Sequence, residues 1–238
     1  MRCVPDLIAV TRRSTIWMSQ DFIDHTPSKR SRTLMRTLGI LKRLAEQKAA
    51  GPTPSFTEVH IAKAIQIIGR KPIGRLGLSE RLGLGEGTTR TLIDRLLEAR
   101  LAKVSKRGCE LTESGSLILK DLSSKLGPMT RVTRSPITIG PHNFGILVRK
   151  AANKVNSGIE QRDAAVRAGA NGAVTFVFKG RRLLIPPVHE RITEARDVIG
   201  RILEDFRPRE KDVIVIAGAG SEKLAEDGAR AAAWTLLN

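Results

Sequence analysis

Apolar positions divide the chain into a helical half and an alternating half. From Leu34 a stripe runs through Leu38, Leu41 and Ala45, with Ile40 and Leu44 beside it. That recurrence marks one buried face of a helix. Gly51-Pro52-Thr53-Pro54 stops it. The stripe suits pairing with a second chain as well as packing on its own domain. Residues 56–69 repeat the pattern with Val59, Ala62, Ile65 and Ile68 on one side. A short helix over 76–82, a tight turn at Gly83-Leu84-Gly85 and a longer helix over 86–100 follow. The longer helix buries Thr89, Leu92, Ile93, Leu96 and Leu97. Residues 101–105 and 109–111 read as strands across a Lys106-Arg107-Gly108 turn, and 112–126 as a further helix.

Gly127-Pro128 closes this unit, and residues 129–141, rich in Thr, Ser, Arg and Pro, read as a linker. Beyond it, strands at 144–148, 174–178, 183–185 and 213–217 alternate with helices at 157–168, 190–206 and 221–237. Ser157 and Glu160 are spaced as a capping box. The order β-α-β-β-α-β-α matches, in its first six elements, the split βαβ pattern of ferredoxin-like folds. Residues 1–33 carry scattered basic residues without periodicity. They read as a disordered basic arm or as an over-extended start, with Met18 and Met35 as later ones. The expected fold class is therefore α+β. A winged helix-turn-helix domain with a leading helix spans 34–128, a linker 129–141, and a C-terminal α/β domain 142–238.

The order helix, turn, helix, strand, basic turn, strand is that of a winged helix. Leu78, Leu82, Leu84, Leu92 and Leu96 can bury one another and lock the two helices around the Gly83 turn. The second helix then presents its other face to the major groove, which is wide enough for an α-helix. On a wheel of about 100° per residue, that outer face holds Glu86, Thr88, Arg90, Thr91, Asp94 and Arg95. The expected DNA contacts are Thr88, Arg90, Thr91 and Arg95 from the helix, with Lys106 and Arg107 from the wing.

Charge strengthens this expectation. The 238 residues carry 41 Lys and Arg against 24 Asp and Glu, a net of +17. Residues 1–130 hold 23 basic and 12 acidic residues, a net of +11, so the excess is concentrated in the half with the helix-turn-helix. Aromatic residues are 3% and Tyr is absent, which leaves few stacking platforms for single strands. Duplex DNA is the expected partner. Near-palindromic sites make a homodimer the expected assembly. The longest stretch free of charged residues, Ser135 to Val148, has 14 residues and two prolines, short of the about 18 a membrane span needs. The N-terminus lacks the apolar region of a secretory signal. Cys3 and Cys109 form no CxxC pair. A reducing cytoplasm is the expected compartment.

Several stretches resemble an archaeal family of two-domain winged-helix proteins. They are Ile73-Gly74-Arg75, the run from Leu78 to Gly87, and Thr112-Glu113-Ser114-Gly115. The run from Ser157 to Ala165 and Gly228-Ala229-Arg230-Ala231-Ala232 resemble that family's C-terminal domain of unknown function. The resemblance spans residues 35–238. It implies a transcription-related role and supplies neither ligand nor reaction.

Two features of the second half are candidates for a small-molecule effector site. Asp163 falls on the stripe of Ile159, Val166 and Ala170, where a carboxylate needs a partner such as a ligand group, Lys154 or the backbone. Gln161 and Arg162 flank it. Gly218-Ala219-Gly220-Ser221 joins an apolar strand to a helix, where backbone N–H groups attract anions. GxG alone is a weak signal, and Lys223 stands where a dinucleotide motif wants glycine. Gln161, Arg162, Asp163, Gly218, Gly220 and Ser221 are the expected effector residues. The small-residue face Gly228, Ala231, Ala232 and Thr235 suits close packing. His25, His60, His142 and His189 lack metal-ligand spacing, and no catalytic motif stands out. The sequence names no catalytic residue, no metal and no cofactor. An enzyme fused to a winged helix and a protein-interaction module are the rival classes.

Overall fold

The computed structural model describes residues 29–46, 54–186 and 196–237. Most of the expected arm (residues 1–28, with Cys3 and His25) and His189 lie outside the described residues. Residues 29–33, assigned to that arm from sequence, begin a helix instead. Helix α1, Lys29–Ala45, buries Leu34, Leu38, Leu41 and Leu44 against two helices of its own domain. These are α2, Glu58–Ile68, and α5, Glu113–Lys125. Thr37 fixes the packing by donating to the Asp121 carboxylate at 2.8 Å. Helix α2 starts at Thr57, whose backbone N–H donates to His60 Nδ1 at 3.1 Å. This is a capping box closed by histidine in place of Glu or Gln.

Between α2 and α5 lie α3, Arg75–Leu82, α4, Glu86–Glu98, and an antiparallel hairpin of β1, Ala102–Ser105, and β2, Gly108–Leu111. Ile73 adds a single bridge to Cys109 on the hairpin's other side.

The second sheet is five-stranded and antiparallel. Its strands are β3, Leu126–Arg131; β4, His142–Val148; β5, Gly172–Lys179; β6, Arg182–Leu184; and β7, Val213–Ala219. They lie in the order β3-β4-β7-β5-β6. Three helices cover it: α6, Ile159–Arg167; α7, Arg196–Phe206; and α8, Glu222–Trp234. Ile214 and Ile216 of β7 face Ile202 and Phe206 of α7, whereas Val213, Val215 and Ala217 join the cluster containing Ala165, Ala229 and Ala232. Strand β7 is thus buried on both faces, which explains its unbroken apolar run.

Three expectations change here. The ferredoxin-like arrangement is not adopted. That fold centres its first and third strands and keeps both helices on one face. Here the second and fourth strands of the βαββαβ series, β5 and β7, are central, and among the described residues α7 is the helix that covers the opposite face. The 129–141 linker is partly sheet. Strand β3 leaves α5 directly at Leu126 and pairs with β4, and Val132 N–H continues the ladder to Asn143 O. The Ser157–Glu160 capping box does not form. Gly158, at φ 78°, precedes α6 without a side-chain cap, and Ser157 Oγ accepts from Ile159 N–H at 3.4 Å.

One apolar core spans both halves. The cluster containing Leu41, Ile65 and Leu122 continues through Leu126 to Ile146, Val215 and Trp234. Polar contacts between α2 and α8 sit beside it. Lys63 donates to Asp227 at 2.6 Å, Arg230 to Gln66 Oε1 at 2.5 Å, and the Trp234 indole N–H to Glu58 at 3.1 Å.

Candidate nucleic-acid interface

The α3–α4 unit is locked from inside. Leu78, Leu82, Leu92 and Leu96 are at most 1% exposed, while Leu84 is half-buried. Ser79 Oγ donates to Leu84 O at 2.6 Å, and Gly83 N–H donates to Ser79 O at 2.8 Å. Gly83 adopts φ 69°, a conformation that glycine enters without steric cost. The Lys223 ammonium lies directly over it, so the first turn of α8 in the second half touches the turn between α3 and α4.

The outward face of α4 differs from its expected composition. Arg90 is 71% exposed, 4.0 Å from Asp94 one turn on. Thr91 is exposed, and its hydroxyl donates to Gly87 O at 3.2 Å. Thr88 is half-buried. Arg95, expected to contact DNA, is 8% exposed. Its guanidinium Nη1 donates to Leu44 O at 2.6 Å and Glu46 O at 2.7 Å and lies 5.1 Å from the Phe56 ring centre. The last carbonyls of a helix lack internal partners and carry negative potential. Arg95 satisfies that end of α1, and the DNA assignment is withdrawn for it.

The hairpin presents Lys106 and Arg107 to solvent. Arg107 lies 3.4 Å from Glu110, which also accepts from Ser105 Oγ at 2.6 Å. That bond, aided by the basic neighbours Arg107 and Lys103 and opposed by burial, keeps the Glu110 carboxyl below its usual range. The hairpin tip is thereby held in shape. Exposed cations not marked by the sequence include Arg75, at the start of α3 and 3.9 Å from Glu86, and Lys103 on β1. Lys103 and its neighbour Val104 are both exposed on β1, so no two-residue alternation marks it in the sequence.

The structure does not bring together the residues expected to hold an effector. Gln161 is buried and donates to Thr235 Oγ1 at 2.8 Å. Thr235 closes the C-terminus of α8, whereas Ser221 caps its N-terminus, about 20 Å away along the helix. Asp163 is 44% exposed and pairs with its neighbour Arg162 at 3.0 Å. The stripe assumed for α6 is its outer face, since Ile159 and Val166 are themselves exposed. Gln161, Ala164 and Ala165 are buried instead. Gly218 sits against Gly140 and Asn143, with its carbonyl taken by Asn171 N–H at 2.8 Å. Gly220 faces open space. Ser221 Oγ accepts from Leu224 N–H at 3.4 Å. The glycines and serine therefore serve a strand-to-helix turn. On α8 the packed small face is Ala225, Gly228, Ala229, Ala232 and Ala233, while Ala231 is half-exposed. Among the described residues no group of His, Cys, Asp and Glu is placed to hold a metal ion, and no helix is long and apolar enough to cross a membrane.

The geometry defines a protein of mixed helix and sheet, with two antiparallel sheets among the described residues. Comparison with known proteins agrees. The profile of a PH0730-like N-terminal domain matches residues 61–117, and that of a domain of unknown function, DUF4443, matches residues 139–236. Both matches lie within the 35–238 span of the expected resemblance. Among solved structures it is similar to the hypothetical protein PH0730 from Pyrococcus horikoshii OT3. Identity is 27% over 76% of this chain and 93% of that one, with a TM-score of 0.62. No curated protein matches the chain.

Proposed function

We propose that this protein is a DNA-binding transcriptional regulator. Residues 56–126 act as a winged helix-turn-helix, and the second half serves ligand sensing or dimerisation. The observation that carries the reading is the α3–α4 unit. Leu78, Leu82, Leu92 and Leu96 are committed to the core, and α4 is left with Arg90 and Thr91 exposed. The order of α2, the Ile73 bridge, α3, α4 and the β1–β2 hairpin supports it, because this is the sequence of elements in a winged helix. Arg90 and Thr91 take the role of groove contacts. Lys106 and Arg107 take that of backbone contacts, joined by Arg75 and Lys103. The +17 net charge supports a polyanionic partner.

A protein-interaction module is the second reading. It is favoured by Leu76 and Val104, large apolar side chains exposed on α3 and β1.

Fluorescence anisotropy tests the proposal. The protein is titrated into the duplex upstream of its own gene and into a shuffled duplex of equal composition, each at two salt concentrations. The expected outcome is a preference that survives physiological salt. Arg90→Ala weakens binding. The Lys106→Ala/Arg107→Ala double variant lowers the log–log salt slope by about 2, near 0.9 per lost phosphate contact. Equal affinity for both duplexes that collapses with salt would sink the regulator reading in favour of bare electrostatics.

A further inference from the structure

The seam between α2, α6 and α8 holds a half-open cavity of about 440 Å³, within the range of small-molecule sites. Both halves of the chain build it. Val59, Ala168, Ala231 and Trp234 supply apolar walls, and the alanines leave a slot beside the indole. The polar groups lining it divide by whether they are already engaged. Glu58 accepts from the Trp234 indole N–H, and Asp227 accepts from the buried Lys63 ammonium, so both carboxylates are engaged. His60 Nδ1 accepts from Thr57 N–H, which leaves Nε2–H as the ring's donor. Arg167 is exposed on the last turn of α6 and lines the same cavity. The Glu58 carboxylate, bonded to a neutral N–H, keeps its charge, whereas the Arg167 guanidinium and His60 Nε2–H are donors that an anionic acceptor would satisfy.

We infer that this seam cavity binds a small organic carboxylate with a ring-sized apolar body, its carboxylate toward Arg167 and His60 and its ring against Trp234. The site is separate from the effector residues expected from sequence. Its position ties it to the proposed function, and its regulatory meaning rests on that reading. Helix α2 packs on α3, and Lys223, one turn before Asp227, lies over Gly83. A ligand that prefers one placement of α8 against α2 shifts the α3–α4 unit with it, and linkage makes the coupling reciprocal.

The test uses the full chain with Trp17→Phe, so that Trp234 is the only indole. Benzoate and cyclohexanecarboxylate are titrated while Trp234 emission and heat are followed. Acetate, inorganic phosphate and benzyl alcohol are controls that lack the body, the body and the charge respectively. The expected result is saturable binding of the two ring acids and none of the controls. Arg167→Ala weakens it by roughly tenfold, the loss of one charge-assisted contact, and Ala231→Phe, which fills the slot, abolishes it. Circular dichroism confirms that both variants, at surface-accessible positions, remain folded. No saturable response up to about 10 mM, the weakest affinity expected for a ligand this small, overturns the inference. So does binding that both variants leave unchanged. Duplex affinity is measured in the same preparation without acid. Acid binding without DNA binding keeps the seam site and sinks only the regulator, whereas DNA binding without acid binding does the reverse.

Discussion

Arg90 and Arg95 lie five residues apart on α4, and the sequence treats them alike. The wheel places both outside, yet Arg95 is sealed under α1 and Phe56. A wheel gives an angle about one axis and cannot report what another segment lays over it. The carbonyls that Arg95 serves are 51 and 49 residues away. Asp163 fails for a related reason: its stripe was anchored on Ile159, which is exposed. The two arginines should therefore separate in experiment. Arg95→Met removes two charge-assisted bonds and is expected to cost about 2 kcal/mol of stability, read as a lower urea midpoint, with duplex affinity unchanged in the cold. Arg90→Ala should do the opposite. His60 gives a further residue-scale prediction. Burial pushes its pKa below 6.5, the lysines Lys63 and Lys223 add to the effect, and Asp227 opposes it. The folded protein thus resists a proton that the unfolded chain accepts. Stability is full above about pH 6.5 and falls as the pH drops from there toward the lowered folded value. His60→Gln, which keeps an acceptor for Thr57 N–H, should flatten that part of a Tm-against-pH curve. An unchanged slope would remove His60 as its source.

At the scale of elements, helices α1 to α5 and the β1–β2 hairpin were legible because their periods are strong and, except after α4, which ends at Ala99, Gly or Pro follows. Strand β3 was not. Gly127-Pro128 reads as a breaker, and the strand tolerates it for two structural reasons. It lies at the sheet edge, where proline's missing N–H costs no ladder bond, and its register shifts between Leu126 and Met129, as at a bulge. The order of the second sheet was equally hidden. A βαββαβ string fixes which elements exist and leaves open which strand inserts between which. Gly108 closes the Lys106-Arg107-Gly108 turn and also meets a neighbouring segment. It sits at φ 120°, and a side-chain carbon there would come within 2.6 Å of the Ile73 backbone. Gly108→Ala therefore strains both the hairpin and the Ile73–Cys109 bridge. The expected loss is about 2 kcal/mol or more, measured by chemical denaturation, together with a weaker salt dependence of the proposed DNA binding as the Lys106-Arg107 tip shifts.

Across the whole molecule, the question is whether the two halves are separate bodies. The composition of residues 129–141 suggests a linker, but α5 runs straight into β3, and Arg149 N–H donates to Lys125 O at 2.8 Å across that junction. The apolar cluster passes from Leu122 through Leu126 to Ile146 without a gap. Folding either half alone would leave that surface bare. The protein should thus unfold in one transition, with calorimetric and van't Hoff enthalpies equal and the Trp and far-ultraviolet signals coincident. Two resolved transitions would show that the halves fold independently. The Lys63–Asp227 pair gives the seam its own test. Lys63 is 4% exposed, so Asp227→Ala strands an ammonium where water scarcely reaches. The expected cost is about 3 kcal/mol, reduced by what solvent enters past Asp227. Lys63→Met combined with Asp227→Ala removes both charges and should recover most of that loss, whereas a flexible seam would make the two variants equally mild. A cooperative seam is also the condition under which a ligand bound there can reach α4, because energy spent on one half is then felt by the other.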